Sequence, residues 1–169
     1  AEVGSGGGSI AWIDAGGALR VGPRSAGAAP GPACYAQGGT EPTVTDAYAA
    51  LGYLNPGAIA GGAKSIEVQR AKDAIAGRIA APSSLSTEDA AYGMYAVGTS
   101  NIIRAIRAVS VERGRDARDY TLIAFGGAGP LHAAELGRAL GLRRVLVPNS
   151  PGLFSALGLL MAAVQHKFS

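Results

Sequence analysis

The 169-residue chain has a single cysteine, Cys34, so no disulfide framework can hold it together, and a reducing compartment suits it. Charge is also sparse, at 16% of residues, and the net charge of +3 comes from scattered arginines. No basic run interleaved with aromatics occurs, which argues against a nucleic-acid partner. The longest uncharged run, residues 145–166, is interrupted by Pro148 and Pro151. The remaining helical stretch, 153–164, is too short to cross a bilayer, so a buried helix and no membrane partner are expected. The chain opens on AEVGSGGGS, with neither a charged leader nor an apolar signal segment, and a cytoplasmic location is expected.

Glycine is abundant, with 26 residues, and it falls in clusters. Residues 120–147 read as strand, glycine turn, helix and strand. An apolar run at 120–125 leads to Gly126, Gly127 and Gly129, which permit a sharp turn. Pro130 suits the first turn of the following helix, Ala133, Leu136 and Leu140 form its buried stripe, and Gly141 closes it. Glycines placed between a buried strand and a helix N-terminus leave backbone N–H groups facing the positive end of the helix dipole, where phosphate or a polar ring edge is favoured. A dinucleotide fingerprint fits poorly. His132 stands where its third glycine belongs, and no acidic residue follows the second strand at Val147-Pro148-Asn149.

A second cluster, Gly4 to Gly8 with Ser5 inside it, runs into the extended segment SIAWID. Asp14-Ala15-Gly16-Gly17 then forms a hairpin turn, with residues 18–21 as the returning strand. Such a loop can wrap backbone amides around phosphate oxygens, with Ser5 or Ser9 adding a hydroxyl. The same GSGGGS string also has the composition of a flexible linker.

Residues 22–42 form a long loop rich in Gly, Pro, Ser and Ala, in which Cys34 has no second cysteine or nearby histidine to activate it and is expected to be a packed thiol. Thr43 or Thr45 caps a short helix at 46–51. Asp46 lies in its first turn, either as a cap or near Mg2+ or an attacking group. An amphipathic helix at 65–80 is expected to close at Ala81-Pro82. A capping-box pattern at Ser86-Thr87-Glu88-Asp89 opens the longest helix, which runs to about Gly114. Its core stripe is Ala91, Tyr95, Gly98, Ile102, Ile106 and Val109; Arg104 and Arg107 lie opposite, and Asn101 between the faces is a candidate ligand contact. Ser150-Pro151 opens a last helix at 152–164 whose small residues allow close helix packing.

Two glycine loops about 120 residues apart, one on a hairpin and one between strand and helix, are similar to the second half of the actin, sugar-kinase and chaperone ATPase fold. The blocks GSGGGSIAWID, VGPRSAG, PGPACY, GGTEPTVTDA, AIRAVSVERGRD, LIAFGGAGPLHAAELGRALG and VLVPNSPGLFSALGLL occur in order. Together they resemble the hydantoinase A and 5-oxoprolinase family, which also includes beta subunits of ATP-dependent ketone carboxylases. The resemblance covers nearly the whole chain and is weakest between residues 58 and 85.

It implies an α/β fold: an actin-like (ribonuclease H-like) ATPase lobe, a mixed sheet with an N-terminal β-hairpin and flanking helices. Residues 1–169 would form the C-terminal lobe of the ATPase domain. The implied activity is ATP-dependent hydrolysis of a cyclic amide, such as a hydantoin or 5-oxoproline, through phosphorylation of the amide oxygen. The alternatives are a ketone carboxylase subunit and a non-catalytic nucleotide-binding or assembly fragment. Gly6, Gly7, Gly8 and Ser9 would contact the β- and γ-phosphates of ATP. Gly126, Gly127 and Gly129 would bracket adenosine, with Asn101 as a further contact. Asp46 and His132 would be catalytic, His132 as a neutral ring. The implied partners are Mg2+, a small cyclic-amide substrate, the missing N-terminal half and a hydantoinase B-like subunit or domain, with an oligomer expected. The chain departs from the family where Ala29 replaces the usual aspartate and where Ala163 and Lys167 replace acidic residues. The family's first phosphate motif has no match.

Overall fold

The computed structural model describes residues 6–57 and 65–163, which fall into two compact units, 1–116 and 117–169. The first unit opens on β1 (Ser9–Ile13) and β2 (Leu19–Ser25), an antiparallel pair in which Ala11 faces Val21 and Ile13 faces Leu19. The turn between them is held by Asp14, whose carboxylate accepts the N–H groups of Gly16 and Ala18 and the Nε of Arg20. Those donors, Ala18 foremost and then Arg20, hold its carboxyl below the ordinary aspartate range.

The loop after β2 makes one 3-10 turn at Ala33–Tyr35 and returns through Ile10–Thr43 bridging to α1 (Val44–Ala50). Thr43 caps α1 as expected: its Oγ accepts the Asp46 N–H, and the Asp46 carboxylate accepts the Thr43 N–H in return. The next helix, α2 (Val68–Ile75), does not stop at Ala81-Pro82. It widens into a π-helical turn at Ala76–Ala80 and continues through α3 (Ala81–Ser83). Pro82 has no N–H to donate and crowds the preceding turn, and the widened turn lies directly ahead of it.

Ser86 caps α4 (Thr87–Val109) by accepting the Asp89 N–H. The expected stripe is buried at Ala91, Tyr95 and Gly98, thins at Ile102 and Ile106, and ends exposed at Val109. Arg104 and Arg107 are exposed, as their position opposite the stripe predicts. Tyr95 forms the aromatic centre of the unit, with Tyr48 and Tyr53 against it edge-on at centroid separations of 6.4 and 5.5 Å.

In the second unit β3 (Thr121–Ile123) and β4 (Arg144–Leu146) pair in parallel, joined by α5 (Gly129–Ala139), so the strand, glycine turn, helix, strand reading holds. Ala133 and Leu136 are buried on α5, and Gly137 packs so tightly that a Cβ would lie 2.7 Å from Val145 Cγ2. A 3-10 turn at Pro151–Leu153 leads into α6 (Phe154–Met161).

Two expectations of burial fail here. β3 is largely exposed and β4 fully so, and α6 presents Leu159, Leu160 and Met161 at 79%, 86% and 78% exposure. Parallel strands and all-round apolar helices normally have both sides covered. Within this chain nothing among the described residues supplies that cover. No described helix is long and apolar enough to cross a membrane.

Candidate functional site

The Gly6–Ser9 turn is built from short-range bonds. The Ser9 N–H donates to the Gly6 carbonyl at 3.0 Å, and Ser9 Oγ accepts the Gly6 N–H at 3.0 Å. Its carbonyls are anchored as well. Gly7 O accepts both the N–H and the Oγ of Thr45, at 2.8 and 2.9 Å, and Gly8 O accepts the Ala26 N–H at 2.9 Å. The amides of Gly7 and Gly8, by contrast, meet no acceptor among the described residues. With carbonyls tied back, the turn leaves two successive N–H groups without an acceptor among the described residues, an arrangement that can bind an anion.

Glycine is required at two of these positions by contact. A Cβ on Gly7 would lie 2.6 Å from Thr45 Oγ1, and one on Gly8 2.8 Å from Ser25 Oγ; Gly6 has open space. Gly4 and Ser5 lie outside the described residues.

Asp46 holds this region together from beneath. Its carboxylate is fully buried and accepts four hydrogen bonds: from the N–H groups of Ala33, Cys34 and Thr43 and from Thr43 Oγ, at 3.2, 2.8, 2.8 and 2.8 Å. Three of these bonds fall on Oδ2 and one on Oδ1, and none of the carboxylate is exposed. This geometry supplies the capping role, and the carboxylate presents no exposed surface to a reacting group. Cys34 sits beside it at 0% exposure, and burial first, then the Asp46 charge, push its thiol far up, so it is a packed thiol and no nucleophile. Asn101 is likewise engaged in structure: its amide donates to the Val21 carbonyl at 3.2 Å and accepts from Arg104, tying α4 to the hairpin.

In the second unit Gly126 turns at φ +84° and donates to the Pro151 carbonyl at 2.8 Å. Gly127, Ala128 and Gly129 then open α5 without any side-chain cap, and their amides find no acceptor among the described residues. Gly127 has a φ open to any residue and empty space where a Cβ would go. Packing therefore does not explain a glycine there. His132 lies one turn into α5 at 2% exposure, and burial holds its pKa at about 4, so the ring is neutral at physiological pH as expected.

No sequence motif pointed to a cavity of about 390 Å3 in the first unit, lined by Arg24, Ser25, Ala29, Gly39, Thr40 and Glu41 among others. Apart from Ile10 of β1, its residues come from the two ends of the loop between β2 and α1, 24–31 and 38–41, and folding of that loop is what brings them together. Arg24 Nη2 donates to both Glu41 oxygens, at 3.0 and 2.8 Å. No group of three or more metal-ligating side chains occurs among the described residues.

The family model described as Hydantoinase/oxoprolinase matches residues 1–168. The alpha subunit of caprolactamase from Pseudomonas jessenii is 47% identical over 97% of this chain. A crystal structure of ATP-dependent caprolactamase from that organism superposes with a TM-score of 0.83, at 50% identity over 90% of this chain and 22% of the other. A nucleotide-free structure of acetone carboxylase gives 0.84 at 36% identity, over 91% and 22%. 5-oxoprolinase 1 of Arabidopsis thaliana is 37% identical over 88% of this chain. The chain spans 24% of the caprolactamase subunit and 13% of the oxoprolinase. The α/β architecture with its hairpin and parallel pair agrees with an actin-like ATPase lobe, and the chain belongs to the hydantoinase/oxoprolinase family.

Proposed function

We propose that residues 1–169 form the C-terminal lobe of the ATPase domain in an ATP-dependent cyclic-amide hydrolase. The supporting observation is that two glycine turns, one in each unit, keep successive backbone amides unclaimed among the described residues. Relatives over 88–90% of the chain carry the names ATP-dependent caprolactamase and 5-oxoprolinase. An amide is a poor electrophile, and phosphorylation converts its oxygen into a good leaving group before water opens the ring. The protein's task is then positioning and electrostatic stabilisation.

Gly7 and Gly8 supply N–H donors for the phosphates, and Gly6 and Ser9 shape the turn that aims them. Gly127 and Gly129 form the adenosine half-site, with Gly126 making the turn. His132 donates or accepts as a neutral imidazole. Asp46 acts as a positioning residue by fixing α1, whose Thr45 anchors the phosphate turn. Among the described residues Asp46 is fully buried and no group of three or more metal-ligating side chains occurs. The principal carboxylate for Mg2+ is assigned to the rest of the polypeptide, and ring opening to a hydantoinase B-like subunit or domain, within an oligomer.

A ketone carboxylase subunit is the second reading, favoured by the acetone carboxylase superposition at a TM-score of 0.84. Phosphate release by the intact protein with Mg-ATP separates the two. Stimulation by ε-caprolactam, hydantoin or 5-oxoproline supports the hydrolase. Stimulation by acetone with bicarbonate, and by no cyclic amide, supports the carboxylase.

A further inference from the structure

The cavity beside the Gly7–Gly8 turn has a recognition chemistry of its own. Part of its wall is bare main chain at Gly31, Gly38 and Gly39, and Gly39 approaches the Gly31 carbonyl too closely to admit a Cβ. Ile10, Ala29 and Pro30 supply apolar surface, and Arg24 and Glu41 supply charge. Arg24 uses Nη2 alone for its bond to Glu41, so Nε and Nη1 keep their N–H groups without an acceptor among the described residues. The Glu41 carboxylate, with one donor, keeps spare lone pairs. A hydrogen-bond donor and an acceptor therefore stand side by side on a mostly uncharged wall. The pair is exposed, at 65% for Arg24 and 36% for Glu41, and exposed ion pairs are weakly held and easily shared.

We infer that this cavity is the subsite for the cyclic amide, with Glu41 accepting the ring N–H and Arg24 donating to the ring carbonyl. Open-chain secondary amides are trans and point N–H and C=O in opposite directions. A small ring forces the cis form, which presents both groups on one edge and matches the adjacent Arg24 and Glu41. Ring methylenes pack on Ala29 and Pro30, and the volume lies in the range of small-molecule sites. Position supports the assignment: Ser25 and Ala26 line the cavity, the Ala26 N–H is bonded to Gly8 O, and Ser9 pairs with Ser25 across the hairpin. The subsite thus adjoins the turn assigned to the phosphates. The inference rests on the cyclic-amide reading and deepens it by naming the groups that select the substrate.

The test is calorimetric titration of the intact protein with ε-caprolactam, 5-oxoproline and hydantoin, with N-methylacetamide as the trans control and Mg-ATP titrated separately. At least one cyclic amide is expected to bind, with N-methylacetamide much weaker. Arg24→Ala and Glu41→Ala each remove a charge-assisted hydrogen bond and should weaken the cyclic amide about tenfold or more. Ala29→Phe should block it by filling the cavity, and all three should leave Mg-ATP affinity unchanged. Cyclic-amide affinity unaltered in the three variants, or Mg-ATP binding with no cyclic-amide binding, overturns the subsite. Cyclic-amide binding lost in the variants, in a protein that does not bind Mg-ATP, supports the subsite and counts against the ATPase reading instead.

Discussion

The Asp46 carboxylate accepts the backbone N–H of Cys34 at 2.8 Å, fastening the loop after the hairpin to the first turn of α1. The same carboxylate caps α1, and α1 presents Thr45 to Gly7, so one buried acid fixes the Gly6–Ser9 turn, the loop and the helix together. Asp46→Asn turns an NH2 either toward the Cys34 N–H on the Oδ1 side or toward the three donors on the Oδ2 side. It should destabilise the protein by about 1–3 kcal/mol, because at least one buried N–H group loses its acceptor. Urea denaturation measures the loss. An Asp46→Asn variant of normal stability with abolished phosphate release would instead place Asp46 in the chemistry.

The glycines of the two turns should respond differently to substitution. Gly7→Ala drives a methyl to within 2.6 Å of Thr45 Oγ1, so a stability loss of about 1–3 kcal/mol is expected, as for other overpacked sites. Gly127→Val meets no described atom within 4 Å of its Cβ position and should leave the melting temperature nearly unchanged. Nucleotide affinity should nonetheless fall sharply, because the branched side chain occupies space beside amides that have no acceptor among the described residues. A Gly127→Val protein that binds ATP normally removes the adenosine half-site from this turn.

Local features were legible in the sequence because they depend on neighbours in the chain. The Thr43 and Ser86 caps, the hairpin turn at Asp14, and the strand, turn and helix around Gly126 are fixed by residues within a few positions of each other. The structural role of Asn101 escapes such a reading because its partner, Val21, lies 80 residues away on β2. The Arg24–Glu41 cavity is invisible for the same reason, being assembled from both ends of a loop. Burial of α6 could be read from its apolarity but is not realised within this chain, since periodicity reports that a surface is to be covered and says nothing of which segment covers it.

That exposed surface has a measurable consequence. Leu153, Leu157, Leu159, Leu160 and Met161 lie on or beside α6, and a patch of this kind associates in water. Produced as residues 1–169 alone, the chain should bind a hydrophobic dye such as ANS and self-associate in analytical ultracentrifugation. Leu160→Lys should reduce both, and the same substitution in the intact protein should lower its stability. Indifference of the intact protein to Leu160→Lys would show that α6 is solvent-facing there too.

His132 provides the pH dependence. Its folded-state pKa is about 4 against 6.5 for the free side chain, because burial disfavours the imidazolium. Between those two values the unfolded chain binds the proton that the folded chain refuses, so acid favours unfolding. The contribution is complete above pH 6.5, is lost as pH falls toward about 4, and does not change further below it. The loss is on the order of 3 kcal/mol at its fullest. Urea midpoints measured from pH 7.5 to 4.5 should decline accordingly, and His132→Gln, which cannot titrate, should flatten that part of the profile. If the decline persists unchanged in His132→Gln, the acid sensitivity belongs to other groups and His132 is not held neutral by the fold.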